Sequence, residues 1–269
     1  MKYCLTYQPN KDKLMEKADE ISIIFNRADT SLIDFLKKYI NKRIIIEIDI
    51  KDFTDDDFAL LKALYEKYPN FVLKFSGYDK KFIELSKEAY IPYFLSKLVN
   101  NWDTFSSLIE LGVSDMYIVE ELCFELDLCK PLATAANVNL RTFANAAQAG
   151  WSTVPDIKKF FIRPEDVIQY EPYLDILEFI TVETRQEEVL YSIYAEDKQW
   201  FGPLKEIIND FTLDIDNRFI VPRFAENRIR CGKRCLKGGS CELCETITHL
   251  ADTLKKQGIV VKTKKEEEE

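Results

Sequence analysis

Histidine is the scarcest chemically versatile residue in this chain, with His249 alone among 269 residues. A catalytic triad built on imidazole needs it placed among the strands of a catalytic fold, and His249 lies beyond them, on an expected closing helix. No HExxH pair exists either, so proton transfer must rest on carboxylates, tyrosine, lysine or a bound cofactor. Glycine is also sparse, at 8 residues. No P-loop, no nucleophile elbow and no glycine-rich turn after the early strands is present, which argues against an open dinucleotide-binding sheet. No apolar run approaches the roughly 18–20 residues of a membrane span. The first ten residues mix charged and polar side chains without a signal-peptide hydrophobic segment, so the expected location is the cytoplasm, with no membrane contact. Positive charge is in deficit, 37 Lys and Arg against 46 Asp and Glu, for a net charge of −9. That balance disfavours binding to the phosphate backbone of duplex nucleic acid. Part of it comes from Glu266 to Glu269, and residues 263–269 are expected to be a solvated, disordered acidic tail.

Apolar residues, at 46% of the chain, suffice for a large core, and they come in alternating strand and helix patterns. Nine short runs read as strands: Lys2 to Tyr7, Ile21 to Phe25, Arg43 to Ile48, Phe71 to Phe75, Ile91 to Leu95, Asp115 to Val119, Val138 to Phe143, Lys159 to Ile162 and Leu174 to Phe179. Helical patterns separate most of them. One begins at an expected Thr54 N-cap backed by three aspartates, and one is expected to stop at Pro131. Repeated strand–helix units imply parallel strands, and the length suits an α/β barrel of about 250 residues. The expected fold is therefore a TIM-like (β/α)8 barrel over residues 1–182, with a C-terminal helical extension over residues 183–262. Eight places for nine candidates leave one outside, with Lys2 to Tyr7 or Ile91 to Leu95 the expected odd one.

Alternation within the strands exposes polar residues on the face opposite the helices. In Arg43 to Asp49 the isoleucines share one face, while Glu47 and Asp49 share the other with Arg43. The same period places Lys74, Asn145 and Arg141 on the barrel side, and Asn26 and Arg163 follow it. Glu178 is ambiguous, because its strand is apolar on both faces. These positions gather near the carboxyl ends of strands, where α/β barrels carry their active sites. Two readings remain open: a structural salt-bridge network, or a site for a small or nucleotide-like polar or anionic molecule. In the second, Glu47, Lys74 and Arg141 are the candidate catalytic residues, with Asn26, Asp49, Asn145, Arg163 and Glu178 as substrate contacts. Arg141 and Arg163 would clamp an anion in bidentate fashion.

Four of the seven cysteines form Cys231-x3-Cys235-x5-Cys241-x2-Cys244. Thiolates this close on a loop with Gly232, Gly238 and Gly239 can close around one metal centre. The odd cysteine count without a secretion signal favours metal ligation over disulfides. Two Cys-x2-4-Cys knuckles suit zinc; a four-iron cluster also takes four thiolates. Cys4, Cys123 and Cys129 read as buried small apolar side chains. If zinc staples the loop, Lys233, Arg234 and Lys237 would present charge to a protein partner, and the chain would be an interaction module rather than an enzyme.

The run Asp115-Met-Tyr-Ile-Val-Glu120, the strand Asn139-Leu-Arg-Thr-Phe-Ala-Asn145 and the late cysteines together resemble the collagenase-like peptidase family, over roughly Ile21 to Cys244. The family's acidic-Phe signature before a Gly-small-apolar-Cys segment is not found here, and its ligand cysteines are usually more dispersed. That resemblance implies a barrel, an iron–sulfur centre and oxygen-independent hydroxylation chemistry of the kind its members perform on RNA bases and ubiquinone precursors. Nothing in the residues supports peptidase activity.

Overall fold

The structure is a computed structural model that describes residues 1–27, 31–146, 160–179, 187–196, 199–209, 211, 215–221, 224–229 and 242–257. The chain divides into two compact units. The first comprises Lys2–Tyr117 and Leu132–Arg141; the second comprises Met1, Ile118–Pro131 and Thr142–Glu269.

In the first unit, strands and helices alternate: β1 (Lys2–Thr6), α1 (Asp12–Lys17), β2 (Glu20–Ile24), α2 (Leu32–Lys38), β3 (Arg43–Ile48), α3 (Asp55–Tyr65), β4 (Phe71–Phe75), α4 (Lys80–Glu88), β5 (Tyr93–Leu95), β6 (Leu98–Val99), α5 (Trp102–Leu111) and β7 (Asp115–Ile118). Helix α6 (Leu126–Ala135) and strand β8 (Asn139–Phe143) follow, each running from one unit into the other. Pairing from β1 through β5 is parallel at every step, in sequence order. Strand β7 pairs in parallel with β8. Ser114, just ahead of β7, donates its N–H (2.8 Å) and its hydroxyl (3.1 Å) to the carbonyl of Tyr93 at the start of β5. This architecture is α/β with parallel strands, as the alternation implies.

The odd candidate is neither of the two expected. Both Lys2 to Tyr7 and Ile91 to Leu95 contribute ladder strands, β1 and β5. The run ending at Ile162 does not: Phe160 makes a single bridge, and residues 161 and 162 are irregular although buried. Burial alone put an apolar signature on that segment, which cannot be told from a strand by composition.

Local chemistry fixes the helix ends. Thr54 caps α3 through a full capping box, its side chain taking the Asp57 N–H while Asp57 takes the Thr54 N–H. Asp79 caps α4 and Asn101 caps α5. Helix α5 ends on Gly112 at φ 75°, where a side chain would be strained. Pro131 does not end its helix as expected. It lies inside α6 on an exposed face, where water can satisfy the carbonyl that proline leaves unpaired. On the helix side of the sheet, Ile44, Ile46 and Ile48 of β3 are buried, and Phe53 joins Phe75 and Phe82 at centroid distances of 6.2 and 4.8 Å.

The second unit holds α7 (Val167–Tyr170), β9 (Ile176–Glu178), α8 (Glu187–Ala195), α9 (Phe224–Ile229) and α10 (Glu242–Lys256) among its described residues. The Ala144 N–H donates to the Glu178 carbonyl at 2.8 Å, aligning the segment after β8 with β9. Aromatic packing dominates the core: Phe160 meets Phe124 and Tyr170, and Phe161 meets Phe211 and Phe224. Among the described residues, no helix is long and apolar enough to cross a membrane. The expected acidic tail, residues 263–269, lies outside the described residues.

Candidate functional site

Because the strands of the first unit are parallel, the two ends of their inner face can be told apart. Glu20, Arg43 and Asp115 each occupy the first position of a strand, at its amino end. Ile24, Glu47 and Lys74 lie at or near the carboxyl ends. The inner face is therefore polar at both ends, and the two polar groups do different things.

At the amino ends, four charges of two signs interlock. Arg43 grips Asp115 with both terminal nitrogens, at 2.8 and 2.5 Å, and reaches Glu20 at 2.9 Å. Arg141 meets Glu20 at 2.8 Å and Asp115 at 3.3 Å, and it is fully buried. Burial alone would raise the Asp115 carboxyl, but the guanidinium groups of Arg43 and Arg141 outweigh it and hold the group below the usual carboxylate range. Burial pulls Arg43 down in turn, and Asp115 and Glu20 more than reverse that. Asn139 adds a hydrogen bond to Asp115 at 3.3 Å. Arg141, a candidate catalytic residue by alternation, is thus placed with its own carboxylate partners in the cluster at the amino ends of the strands.

An aromatic layer comes next. The Arg141 guanidinium lies over Phe94 (5.2 Å) and Tyr117 (5.4 Å), and the Lys74 ammonium lies 5.1 Å from the centre of the same Tyr117 ring.

At the carboxyl ends, Glu47 and Lys74 are register neighbours on β3 and β4 and form an ion pair at 3.2 Å. Ser22 of β2 donates its hydroxyl to the same Glu47 oxygen, Oε1, in a short hydrogen bond. The second oxygen, Oε2, has no partner among the described residues, and the Glu47 side chain is 32% exposed against 11% for Lys74. The result is a carboxylate clamped by one oxygen and open at the other. Directly abreast of Glu47, Ile24 is 76% exposed. Beside it opens a cleft of about 400 Å³ between the ends of β1 and β2 and the start of α2, with Tyr7, Phe25 and Phe35 among its apolar walls and Asn26 and Lys38 among its polar ones. A second cleft of about 310 Å³ shares Asn26 and is bordered by Asp49, Asp52 and Arg27.

The sequence-derived candidates thus fall into three places. Glu47, Lys74, Asn26 and Asp49 lie at the carboxyl ends of the first unit, where Asp49 accepts from Ser76 and from the Lys51 N–H at 3.2 and 3.1 Å. Arg141 sits at the opposite end of the same interior. Asn145, Arg163 and Glu178 belong to the second unit, and all three are buried. Arg163 already holds a bidentate carboxylate, Asp166, at 2.5 and 2.8 Å, and also contacts Glu165 and Asn217. Burial pushes the Asp166 carboxyl up, against the opposing pull of Arg163. Ser22 and Ile24 were legible as inner-face positions from the alternation of Ile21 to Phe25, but neither residue type draws attention alone. Glu20 lies one residue ahead of the apolar run, where the pattern gives no signal.

Cys231, Cys235 and Cys241 lie outside the described residues. Cys244, the last cysteine of the motif, lies on α10 and is buried; its sulfur accepts from Arg228 Nη1 at 3.8 Å. That guanidinium sits over the rings of Phe124, Phe161 and Phe224 at 4.7–5.6 Å. Among the described residues, no group of three or more His, Cys, Asp or Glu is arranged to hold a metal ion.

No protein-family model matches the chain, and no curated protein does. Solved structures with partial likeness include a native KDPGal structure (TM-score 0.46, 8% identity, 73% of this chain and 94% of that one). Another is a 3-keto-L-gulonate-6-phosphate decarboxylase from Vibrio cholerae (TM-score 0.44, 11% identity, 73% and 96%). A third is a 4-hydroxy-2-oxoglutarate and 2-dehydro-3-deoxyphosphogluconate aldolase (TM-score 0.42, 13% identity, 72% and 92%). The class assigned here, parallel α/β, rests on this chain's own strand pairing.

Proposed function

We propose that this chain is a barrel-type enzyme that binds a small polar molecule at the carboxyl ends of its parallel strands, with Glu47 as the group that accepts a proton from it. The observation that carries this reading is the half-engaged carboxylate. Ser22 and Lys74 fix Oε1, which orients the group, while Oε2 is left to meet a ligand. Lys74 lies within reach to stabilise charge on the carboxylate and is itself steadied by the Tyr117 ring. Arg141 is a positioning residue in this scheme, acting on the interior through Glu20, Asp115 and Tyr117. The rim charges and Asn26 would orient the remainder of the ligand.

The four cysteines are proposed to hold a metal centre, with Cys244 as its described ligand. The resemblance to oxygen-independent hydroxylases supports an iron–sulfur cluster, which when bound would supply electron transfer; the paired knuckle spacing supports zinc, which would stabilise the C-terminal region. Anaerobic purification followed by iron, sulfide and zinc analysis separates these. A brown protein with iron and sulfide in equal amounts supports the enzyme reading. A colourless protein with one zinc favours the interaction module instead. For the mouth, a small-molecule library should yield compounds that raise the melting temperature of the wild-type chain and fail to do so for Glu47→Gln. Hits indifferent to that substitution would remove Glu47 from the reading.

A further inference from the structure

The mouth carries a preference that the alternation pattern did not anticipate. Polar residues of both signs suggested a polar or anionic ligand, yet Lys74 is the more buried member of its ion pair and Glu47 the more open one. Of the charged residues bordering the two clefts, Arg27 pairs with Asp56 and Asp57, and Lys38 pairs with Asp12 at 2.6 Å. Asp49 and Asp52 have no ion-pair partner among the described residues, and neither does the free oxygen of Glu47. Among the described residues that border the clefts, the cations are therefore committed and the uncommitted charge is negative. Next to it lies an apolar surface that a strand would ordinarily bury: Ile24, 76% exposed, on the same face and in register with Glu47. From Ile24 the apolar wall continues into the 400 Å³ cleft through Phe25 and Phe35, with the Tyr7 ring edge-on to Phe35 at 4.8 Å.

We propose that the mouth recognises an amphiphilic amine: an ammonium head donating to Glu47 Oε2, and an apolar or aromatic body laid across Ile24 into the cleft between β1, β2 and α2. This rests on the reading that the mouth is a small-molecule site and names the ligand class that fits it. A charged donor on a carboxylate makes a hydrogen bond about twice as strong as a neutral one, while a ligand carboxylate would meet Glu47, Asp49 and Asp52 with like charge. The apolar body removes Ile24 from water, which no described residue does.

The test compares two probes that share a phenethyl body on the full chain, phenethylamine and 3-phenylpropanoate, by ligand-observed NMR titration at neutral pH. Wild type should bind the amine at least about tenfold more tightly than the carboxylate. Glu47→Gln should abolish that preference, and Ile24→Asn should weaken the amine about fivefold while leaving methylammonium, which lacks the body, unaffected. Circular dichroism of both variants confirms that they fold. If the carboxylate binds as tightly as the amine or more so, and competes with it, the amine assignment is wrong while the mouth stands as a ligand site. If neither probe binds the wild type and the library screen also gives nothing dependent on Glu47, both the assignment and the site fall.

Discussion

A buried arginine and a buried carboxylate are worth most when neither can be removed without stranding the other. Arg43, Arg141, Glu20 and Asp115 form such a set, so Asp115→Asn should cost about 3–5 kcal/mol in urea unfolding, as breaking a buried pair does. Arg141→Ala should behave the same way, not as a mild binding variant. The pH dependence follows from the lowered Asp115 carboxyl. A group whose folded pKa lies below its unfolded value near 3.8 contributes fully above that value and loses its contribution as pH falls through the lower folded one. The stability gap between wild type and Asp115→Asn should therefore hold down to about pH 4 and narrow only in stronger acid. A gap that closes near pH 6 would contradict it. Glu47→Gln, by contrast, keeps a hydrogen-bonding side chain between Ser22 and Lys74 at a half-exposed site, and should change stability by no more than about 1 kcal/mol. The sequence announced Glu47, Lys74 and Arg141 as inner-face polar residues through strand period alone. It could not say which of them had internal partners, because Glu20 and Asp115 come from strands far away in the chain.

At the scale of single elements, local chemistry was the most legible layer. The Thr54 cap and its aspartates read directly as a helix start, and α3 begins there with the reciprocal bonds in place. Thr54→Ala should lower stability by about 1 kcal/mol, measured by chemical denaturation. Gly112, which closes α5 in the left-handed region, should lose a similar amount on replacement by alanine. A loss much smaller than half that value would mean the cap is not used. Where element reading went astray, tertiary context was the reason. Pro131 is tolerated within α6 because its free carbonyl partner faces solvent, and the 160–162 segment is buried without entering a ladder. Neither fact is encoded in a residue's neighbours along the chain.

For the molecule as a whole, the parallel character of the strands was readable because helices separate most of them along the chain, and a parallel pair needs such a crossover. Metal chemistry is less readable, since cysteine spacing offers four candidate donors and names no ion. Cys241→Ser should lose whatever metal copurifies with the wild type and lower the unfolding midpoint, with metal content read by elemental analysis. Retained metal would exclude Cys241 as a ligand. Within the second unit, the Arg228 guanidinium in its phenylalanine surroundings ties α9 to α10 through Cys244. Arg228→Leu should therefore loosen α10 even in chains stripped of metal, seen as faster amide exchange along that helix.

Tyr117 is 1% exposed, yet its ring is shared by the cation from the amino-end cluster, Arg141, and the cation from the carboxyl-end pair, Lys74. A selection for altered ligand preference should therefore return substitutions at position 117 alongside those that line the entrance. They would act by tilting the lysine from beneath, without ever touching the molecule being chosen.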